Sequence, residues 1–167
     1  MTEAAKWFSW FSHRISSRKR LRALFGKEMS RPKWTCIMLD QLGKLARRKH
    51  FSVDWEHDEI DMVWAKKARI EVAIEHEFKG DRIDKVMKGE VRNLLSLHVP
   101  LRVLIVYFRP THFARNIVLL KRRICASWTE SKGELLLIAS KQKKHHAPDG
   151  NWIAYRLAPG SRIWERL

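Results

Sequence analysis

The apolar residues of the chain recur at two spacings, which divide it into helical and extended segments. Residues 1–31 have helical spacing, because Ala4, Phe8, Phe11 and Ile15 share one face. Pro32 suits the first turn of a second helix that ends near Lys49. The apolar face of that helix consists of Trp34, Ile37, Met38, Leu42 and Leu45. This pattern predicts two parts: a basic helical N-terminal extension, residues 1–31, and an α/β domain, residues 32–167.

From residue 51 the apolar period changes from that of a helix to that of a strand. Residues 51–55, 60–64 and 69–77 alternate between apolar and polar side chains, which predicts three successive strands. Residues 65–67 form the turn of a β-hairpin within residues 51–77, although the turn contains no glycine. Gly80 is expected to end the third strand, and Asp81 is expected to cap the next helix.

The remainder of the chain continues to alternate between helix and strand. A buried helical stripe follows Asp81 and consists of Ile83, Val86, Met87, Val91, Leu94 and Leu95. The almost continuously apolar segment Leu101–Phe108 predicts a strand buried on both faces. A helix over residues 112–124 and strands over residues 134–140 and 152–157 complete the pattern. Together these elements predict an α/β fold, with a mixed central sheet flanked by helices.

The charge of the chain indicates a polyanionic partner. Its 167 residues include 34 Lys and Arg but only 18 Asp and Glu, which gives a net charge of +16. Such a balance favours nucleic acid first and an anionic membrane surface second. Solubility alone is the alternative explanation of the charge. The hydrophobic fraction of 45% is that of a globular protein and excludes a disordered chain.

The cysteines and the apolar runs indicate the cellular compartment of the protein. Cys36 and Cys125 lie far apart, with no His or Cys at metal-ligand spacing, which disfavours a disulfide framework or a zinc site. A reducing, cytoplasmic location is therefore expected. The longest apolar run, residues 103–108, is too short to cross a bilayer, so no transmembrane segment is predicted. The aromatic, basic N-terminus leaves open an organelle transit peptide or a helix lying on a membrane surface.

The acidic residues are concentrated in one part of the chain. Eight of the 18 lie within residues 51–77: Asp54, Glu56, Asp58, Glu59, Asp61, Glu71, Glu75 and Glu77. Because strand side chains alternate, Glu75 and Glu77 share one face of the third strand, and Ile74 lies on the other. A hairpin would bring Asp61 opposite them.

Three carboxylates from adjacent strands form an oxygen-rich site of the kind that binds Mg²⁺ or Mn²⁺. A bound divalent ion could activate water for attack on a phosphodiester. The alternative is a solvated acidic hairpin, on the open face of the sheet, whose glutamates pair with Lys66, Lys67 and Arg69.

The order of these features resembles a known family. Asp61, separated by 13 residues from Glu75 in the segment Ala73-Ile74-Glu75-His76-Glu77, then a helix and the strand Leu101–Phe108, is similar to the PD-(D/E)xK nuclease superfamily. The resemblance covers residues 32–110 and implies a restriction-endonuclease-like core of helix, three strands, helix and strand.

The resemblance implies roles for particular residues. Asp61, Glu75 and the backbone carbonyl of His76 would bind the metal, and Glu77 would stand where the family has lysine, as a further ligand or base. Lys85 or Lys88 on the following helix is an alternative source of the lysine. By strand parity the His76 side chain points toward the face of Ile74, where a hydrogen-bonded structural histidine is expected.

Several basic residues outside this segment are candidates for contact with a nucleic-acid backbone. They are Arg115, Lys121, Arg122 and Arg123 on one helix, and Lys141, Lys143 and Lys144 in a later loop. The alternative for both groups is a solvated surface. Trp7 and Trp10 could stack on exposed bases or pack in the core.

Three functions follow as hypotheses. The first is a Mg²⁺-dependent nuclease acting on DNA in preference to RNA, with a homodimer as the form in which many members of the superfamily act. The second is a non-catalytic nucleic-acid-binding protein with the same fold. The third is a peripheral membrane or complex-assembly protein that uses its amphipathic N-terminus.

Overall fold

A computed structural model describes residues 1–77, 82–129 and 133–167 of the protein. The helices are α1 (Glu3–Ser16), α2 (Lys19–Arg22), α3 (Arg31–Arg48), α4 (Ile83–Val86), α5 (Arg92–Ser96) and α6 (Phe113–Ser127). A π-helical turn, Met87–Val91, joins α4 to α5, and a 3₁₀ turn, Pro110–His112, precedes α6. The strands are β1 (Ser52–His57), β2 (Ile60–Lys66), β3 (Arg69–Glu77), β4 (Leu101–Phe108), β5 (Glu134–Lys141), β6 (Ile153–Leu157) and β7 (Trp164–Arg166).

The seven strands found in the described residues form one sheet in which spatial order equals chain order, β1 to β7. Strands β1, β2 and β3 pair antiparallel, β3, β4 and β5 pair parallel, and β5, β6 and β7 pair antiparallel. Helices cover both faces of the sheet. The predicted α/β architecture with a mixed sheet flanked by helices is therefore confirmed.

Some elements differ from the sequence-based expectation. Strand β7 was not predicted, because three residues are too few to show a period. In α1 the buried face includes Trp7 in place of the expected Phe8, which is only half-buried. The predicted end of the third strand at Gly80 and the helix cap at Asp81 lie outside the described residues.

The two turns of the β1–β2–β3 meander contain no glycine. Their central residues, Asp58 and Glu59 in one and Lys67 and Ala68 in the other, all have positive φ angles between 46° and 68°. Positive φ at both central positions is what a type I′ hairpin turn requires, because its twist matches that of the strands. The turn predicted at residues 65–67 is thus displaced by about one residue.

Each face of the sheet buries its own apolar layer. Helices α1 and α3 cover the face that carries Trp64 and Ile74, while the helical segment of residues 83–96 and α6 cover the face that carries Ala73. Trp7 is 1% exposed and packs on Trp64, with ring centroids 5.4 Å apart. The apolar side of α1 is therefore committed to the core, which is unfavourable to base stacking by Trp7 or to insertion of α1 into a membrane surface.

The predicted boundary at residue 31 falls between α2 and α3. Helix α1 nevertheless lies in the same apolar layer as α3, and the backbone N–H of Ala4 donates a hydrogen bond to the Glu134 carboxylate on β5 at 2.7 Å. Whether residues 1–31 fold as a separate extension stays a prediction. No helix in the described part of the chain is long and apolar enough to span a bilayer.

Candidate active site

Strand pairing brings Asp61 and Glu75 together. Met62 pairs with Ile74, so Asp61 lies opposite Glu75 one residue farther along the antiparallel ladder. The two carboxyl groups share a hydrogen bond. Because an ionised carboxylate can only accept hydrogen bonds, this contact requires one of the two groups to carry a proton.

The carboxyl groups of this site are enclosed by the fold. Glu75 is 3% exposed and Glu77 is 8% exposed, while Asp61 is half-buried. The expectation of an acidic hairpin on an open face of the sheet is therefore wrong for these two glutamates, because the helical segment of residues 83–96 covers that face. It holds only at the outer end of β3, where half-buried Glu71 lies 3.5 Å from Arg69.

Burial and mutual repulsion change the titration of both groups. Burial raises the pKa of Glu75 to about 9, and the negative charges of Asp61 and Glu90 add to the rise. Burial also raises the pKa of Asp61, partly offset by the backbone N–H of His76, which donates to Asp61 Oδ2 at 2.8 Å. The charge of Glu77 raises the pKa of Asp61 further, so Glu77 belongs to the same electrostatic cluster.

Two residues of the covering helical segment complete the cluster, and the sequence did not single them out. The Asn93 side chain hydrogen-bonds to Glu75, and the charge of Glu90 acts on Glu75. The positions 86, 90 and 93 follow helical spacing, which sets Glu90 and Asn93 beside the apolar stripe begun by Val86. The sequence signal that could have identified Glu90 and Asn93 is therefore their position. They are polar residues beside the buried stripe of a helix that follows an acidic strand.

Glu90 lies in the π-helical turn Met87–Val91. Such turns insert a residue into an α-helix and occur frequently at functional sites. Without the extra residue, the side chains that follow the turn, including Asn93, would be rotated about the helix axis relative to those before it. The irregular turn therefore fixes which helix residues reach the carboxyl pair.

One oxygen of the site has no hydrogen-bond partner. Glu75 Oε1 is fully buried, and no donor within the described ranges reaches it. A buried carboxylate oxygen without a donor is costly, and a bound ion or an ordered water would satisfy it. In the same part of the chain, no group of three or more His, Cys, Asp and Glu side chains is placed to share one metal ion.

His76 has a structural role on the opposite face of β3, as its parity predicts. Its Nε2 lies 2.7 Å from the Tyr107 hydroxyl, which also accepts a hydrogen bond from Trp34 Nε1 at 3.1 Å. Burial lowers the pKa of His76 to about 3, so the ring is neutral at pH 7 and pairs with the Tyr107 hydroxyl as an uncharged group. The network links α3, β3 and β4 behind the carboxyl pair.

Tyr107→Phe should destabilise the protein by about 1–3 kcal/mol, because it removes the hydrogen-bond partner of His76 and the acceptor for Trp34 inside the core. Urea denaturation at pH 7 measures the loss. Tyr155→Phe is the matched control, since Tyr155 is half-buried and its ring is covered by Lys121. Equal losses in both variants would show that the network contributes nothing specific.

The alternative lysines lie on the covering helical segment. Lys85 and Lys88 are both exposed, and Lys88 lies in the π-helical turn. The hydrogen bond from Arg123 lowers the pKa of Asp84, and the charge of Lys88 lowers it further by a smaller amount. Neither lysine is brought to the carboxyl pair by any contact that the structure gives.

Of the seven predicted nucleic-acid-binding residues, two are half-buried and contact other side chains of the protein, and five are exposed. Lys121 Nζ lies 3.9 Å from the centre of the Tyr155 ring, and Arg123 forms an ion pair with Asp84. The other five are exposed: Arg115, Arg122, Lys141, Lys143 and Lys144.

Lys143 and Lys144 border a small cleft with Arg31 and Arg109. This cleft lies where β4 and β5 end, and β3 ends at the same edge of the sheet because the three strands are parallel. Ligands of α/β proteins commonly bind outside the carboxyl ends of parallel strands.

Comparison with known proteins gives no relative. No family model, no curated protein and no solved structure matches the chain. The function must therefore be argued from the site.

Proposed function

We propose that the protein is a metal-dependent nuclease, in which Asp61 and Glu75 hold a Mg²⁺ or Mn²⁺ ion against a phosphodiester. The observation that carries the proposal is the buried Asp61–Glu75 pair, in which Glu75 Oε1 has no hydrogen-bond donor within the described ranges. A buried glutamate in contact with a half-buried aspartate, on a chain of net charge +16, is difficult to explain as a surface feature.

The residues present fit a hard divalent cation. All candidate ligands are oxygens: the carboxylates of Asp61 and Glu75, and the backbone carbonyl of His76. Mg²⁺ commonly binds through only one or two protein carboxylates and completes its shell with water and substrate phosphate. The absence of a three-carboxylate cage in the described residues is therefore compatible with such a site. A bound cation would also replace the proton that the Asp61–Glu75 contact otherwise needs.

When bound, the metal would lower the pKa of a coordinated water and neutralise charge on the scissile phosphate. The protein supplies the orientation. The His76 N–H fixes one oxygen of Asp61, and Asn93 holds the Glu75 carboxyl from the covering helix. Glu77, two residues farther along the same face, would accept a proton from the attacking water or serve as a further ligand.

We further propose that residues 32–110 form a restriction-endonuclease-like core. The order α3, β1, β2, β3, the helical segment of residues 83–96 and β4 supports this, as does the parallel pairing of β3 with β4. Exposed Lys143 and Lys144 at the ends of the parallel strands, with Arg109, would contact the phosphate backbone. DNA is the favoured substrate.

A second function, nucleic-acid binding without cleavage, is favoured by one observation. Glu77 stands where the superfamily has a lysine, and neither Lys85 nor Lys88 is brought to the site by a contact. Without a cation from the protein, charge developing on the phosphate would be neutralised by the metal alone. The two functions differ in whether the phosphodiester is hydrolysed.

Incubation of supercoiled plasmid with the protein and Mg²⁺ or Mn²⁺ tests the proposal. Asp61→Asn and Glu75→Gln should each lower the nicking rate at least 100-fold, an effect of about 3 kcal/mol on the barrier. Glu71→Gln is the matched control, because Glu71 shares the strand face but is only half-buried beside Arg69, and it should retain the parental rate.

The outcomes separate the two functions. Nicking that survives both Asp61→Asn and Glu75→Gln would exclude this site as the catalytic one. Salt-sensitive DNA binding without nicking, unchanged in both variants, would identify the non-catalytic binder.

A further inference from the structure

A second charged site lies on the other side of the sheet, where α1, α2 and α3 meet. The N-terminal 50 residues contain 13 Lys and Arg but only three acids, Glu3, Glu28 and Asp40. Six of these basic side chains line one groove of about 540 Å³: Arg14, Arg18, Arg20, Lys44, Arg47 and Arg48. No acidic residue is among the residues that line it. The volume is within the range of about 300–1,000 Å³ typical of small-ligand pockets.

Arg14 lies at the base of this groove and is buried. It is 6% exposed, and its Nε and Nη1 atoms have no hydrogen-bond acceptor within the described ranges. Arginine is rarely buried unless it is paired, because removing a guanidinium from water without a counter-charge is unfavourable. The C-terminal dipole of α1 offsets part of this cost but supplies no acceptor to these two nitrogens.

The surroundings of Arg14 increase the unfavourable charge. Burial lowers the pKa of Arg14, and the positive charges of Arg18 and Arg48 lower it further. Asp40 is the acid that acts on Arg14, but its carboxylate already accepts from Lys44 Nζ at 2.6 Å. The described part of the chain therefore gathers several cations around a buried guanidinium and supplies too little negative charge to balance them.

We propose that this groove binds a phosphate group carrying two negative charges, with Arg14 donating from Nε and Nη1 and Arg18 and Arg48 closing over the anion. Guanidinium groups match the geometry of phosphate oxygens and donate to them in pairs. The backbone phosphates of duplex DNA lie on a helix that is too wide for them to reach Arg14, which is nearly buried. A terminal phosphate fits, whether of a small molecule or of a nucleic-acid end. The site is independent of the Asp61–Glu75 pair, which faces the other helical layer.

Isothermal titration of the full-length protein with inorganic pyrophosphate at low salt tests the site. A second titration uses an oligonucleotide bearing a 5′-phosphate, with its 5′-hydroxyl counterpart for comparison. Arg14→Met should weaken phosphate binding at least tenfold. Arg162→Gln, which removes one charge from an exposed position elsewhere, should change the Kd less than twofold.

The titration that Arg14→Met changes identifies the source of the phosphate group. Loss of pyrophosphate binding, with no preference for the 5′-phosphorylated oligonucleotide, supports a small-molecule phosphate. Loss of a preference for the 5′-phosphorylated strand supports a nucleic-acid end. Equal Kd values for Arg14→Met and Arg162→Gln, or no binding of either probe, would overturn the proposal.

Thermal unfolding separates a ligand-binding role from a structural one. An unpaired buried cation destabilises the free protein, so Arg14→Met should raise the Tm in phosphate-free buffer and abolish the Tm increase caused by pyrophosphate. A lower Tm in phosphate-free buffer, together with an unchanged response to pyrophosphate, would assign Arg14 to structure alone and overturn the proposal.

Discussion

Glu75→Gln should stabilise the metal-free protein at pH 8 by about 2–4 kcal/mol. The pKa of Glu75 is raised to about 9 in the folded protein, whereas the unfolded chain releases this proton near pH 4.5. The folded state thus holds a proton that the unfolded state has lost, and each pKa unit corresponds to about 1.4 kcal/mol. The contribution of Glu75 to stability is fully present below pH 4.5 and is lost as pH rises toward 9.

Urea denaturation of the parent and the variant at pH 4.5, 6 and 8 measures this effect. The difference between them should be small at pH 4.5 and grow with pH, because glutamine does not titrate. Glu71→Gln, four residues earlier on the same strand face, is the control and should not reproduce this increase, because Glu71 is only half-buried. A Glu75→Gln variant that is less stable than the parent at pH 8 would contradict the burial of an uncompensated acid.

The same variant should lose the response to metal. In the parent, Mg²⁺ at pH 8 should raise the free energy of unfolding, because the ion replaces the proton between Asp61 and Glu75. The increase should be smaller at pH 6, where protons compete more strongly for the carboxylates. Stabilisation of Glu75→Gln by Mg²⁺ equal to that of the parent would show that the ion binds elsewhere.

Arg102→Met should destabilise the protein by about 3–5 kcal/mol. Arg102 is 1% exposed, and its guanidinium donates to the backbone carbonyls of Leu94 and Leu97 and, at 3.3 Å, Val99. The Leu94 carbonyl lies in the last turn of α5 and the other two lie in the loop that follows, where a helix end leaves acceptors unsatisfied. Methionine would fill the space but leave the buried carbonyl acceptors without donors. Leaving one buried partner unsatisfied costs more free energy than the intact hydrogen bond contributes.

Urea denaturation at pH 7 measures the loss, with Arg92→Met as the control because Arg92 lies on α5 but is exposed. The consequence should extend to the carboxyl pair. Since Arg102 holds the end of the helix that carries Asn93, its removal should also reduce the stabilisation by Mg²⁺. A loss below 1 kcal/mol would mean that solvent replaces the guanidinium at these carbonyls.

The sequence predicted the sheet well where its side chains alternate or are continuously apolar. The period of β3 assigned Glu75 and Ile74 to opposite faces, and the apolar run of β4 predicted burial on both faces, which the structure confirms. Arg102 is buried within that run because its guanidinium reaches past the strand to carbonyls in the last turn of α5 and in the loop after it. Such a contact depends on the loop conformation and has no periodic pattern.

The candidate site was predictable only in part for a similar reason. Asp61 and Glu75 lie on adjacent strands of one hairpin, so parity and register alone bring them together. Glu90 and Asn93 come from a separate helix whose orientation depends on a π-helical turn and on packing against β4. The burial of the carboxyls also depends on that helix, which explains why the sequence left a solvated acidic face open as an alternative to the metal site.

The order of the strands has a consequence for how the chain folds. Every strand pairs with the one that precedes it in the chain, so no strand has to insert between two others already formed. Helix α1 is the exception to this local assembly, because its contact with Glu134 closes a loop of 130 residues. We therefore expect the hairpin that brings Asp61 and Glu75 together to form early and α1 to dock late. The carboxyl pair would then be in place before the basic groove on the other face exists.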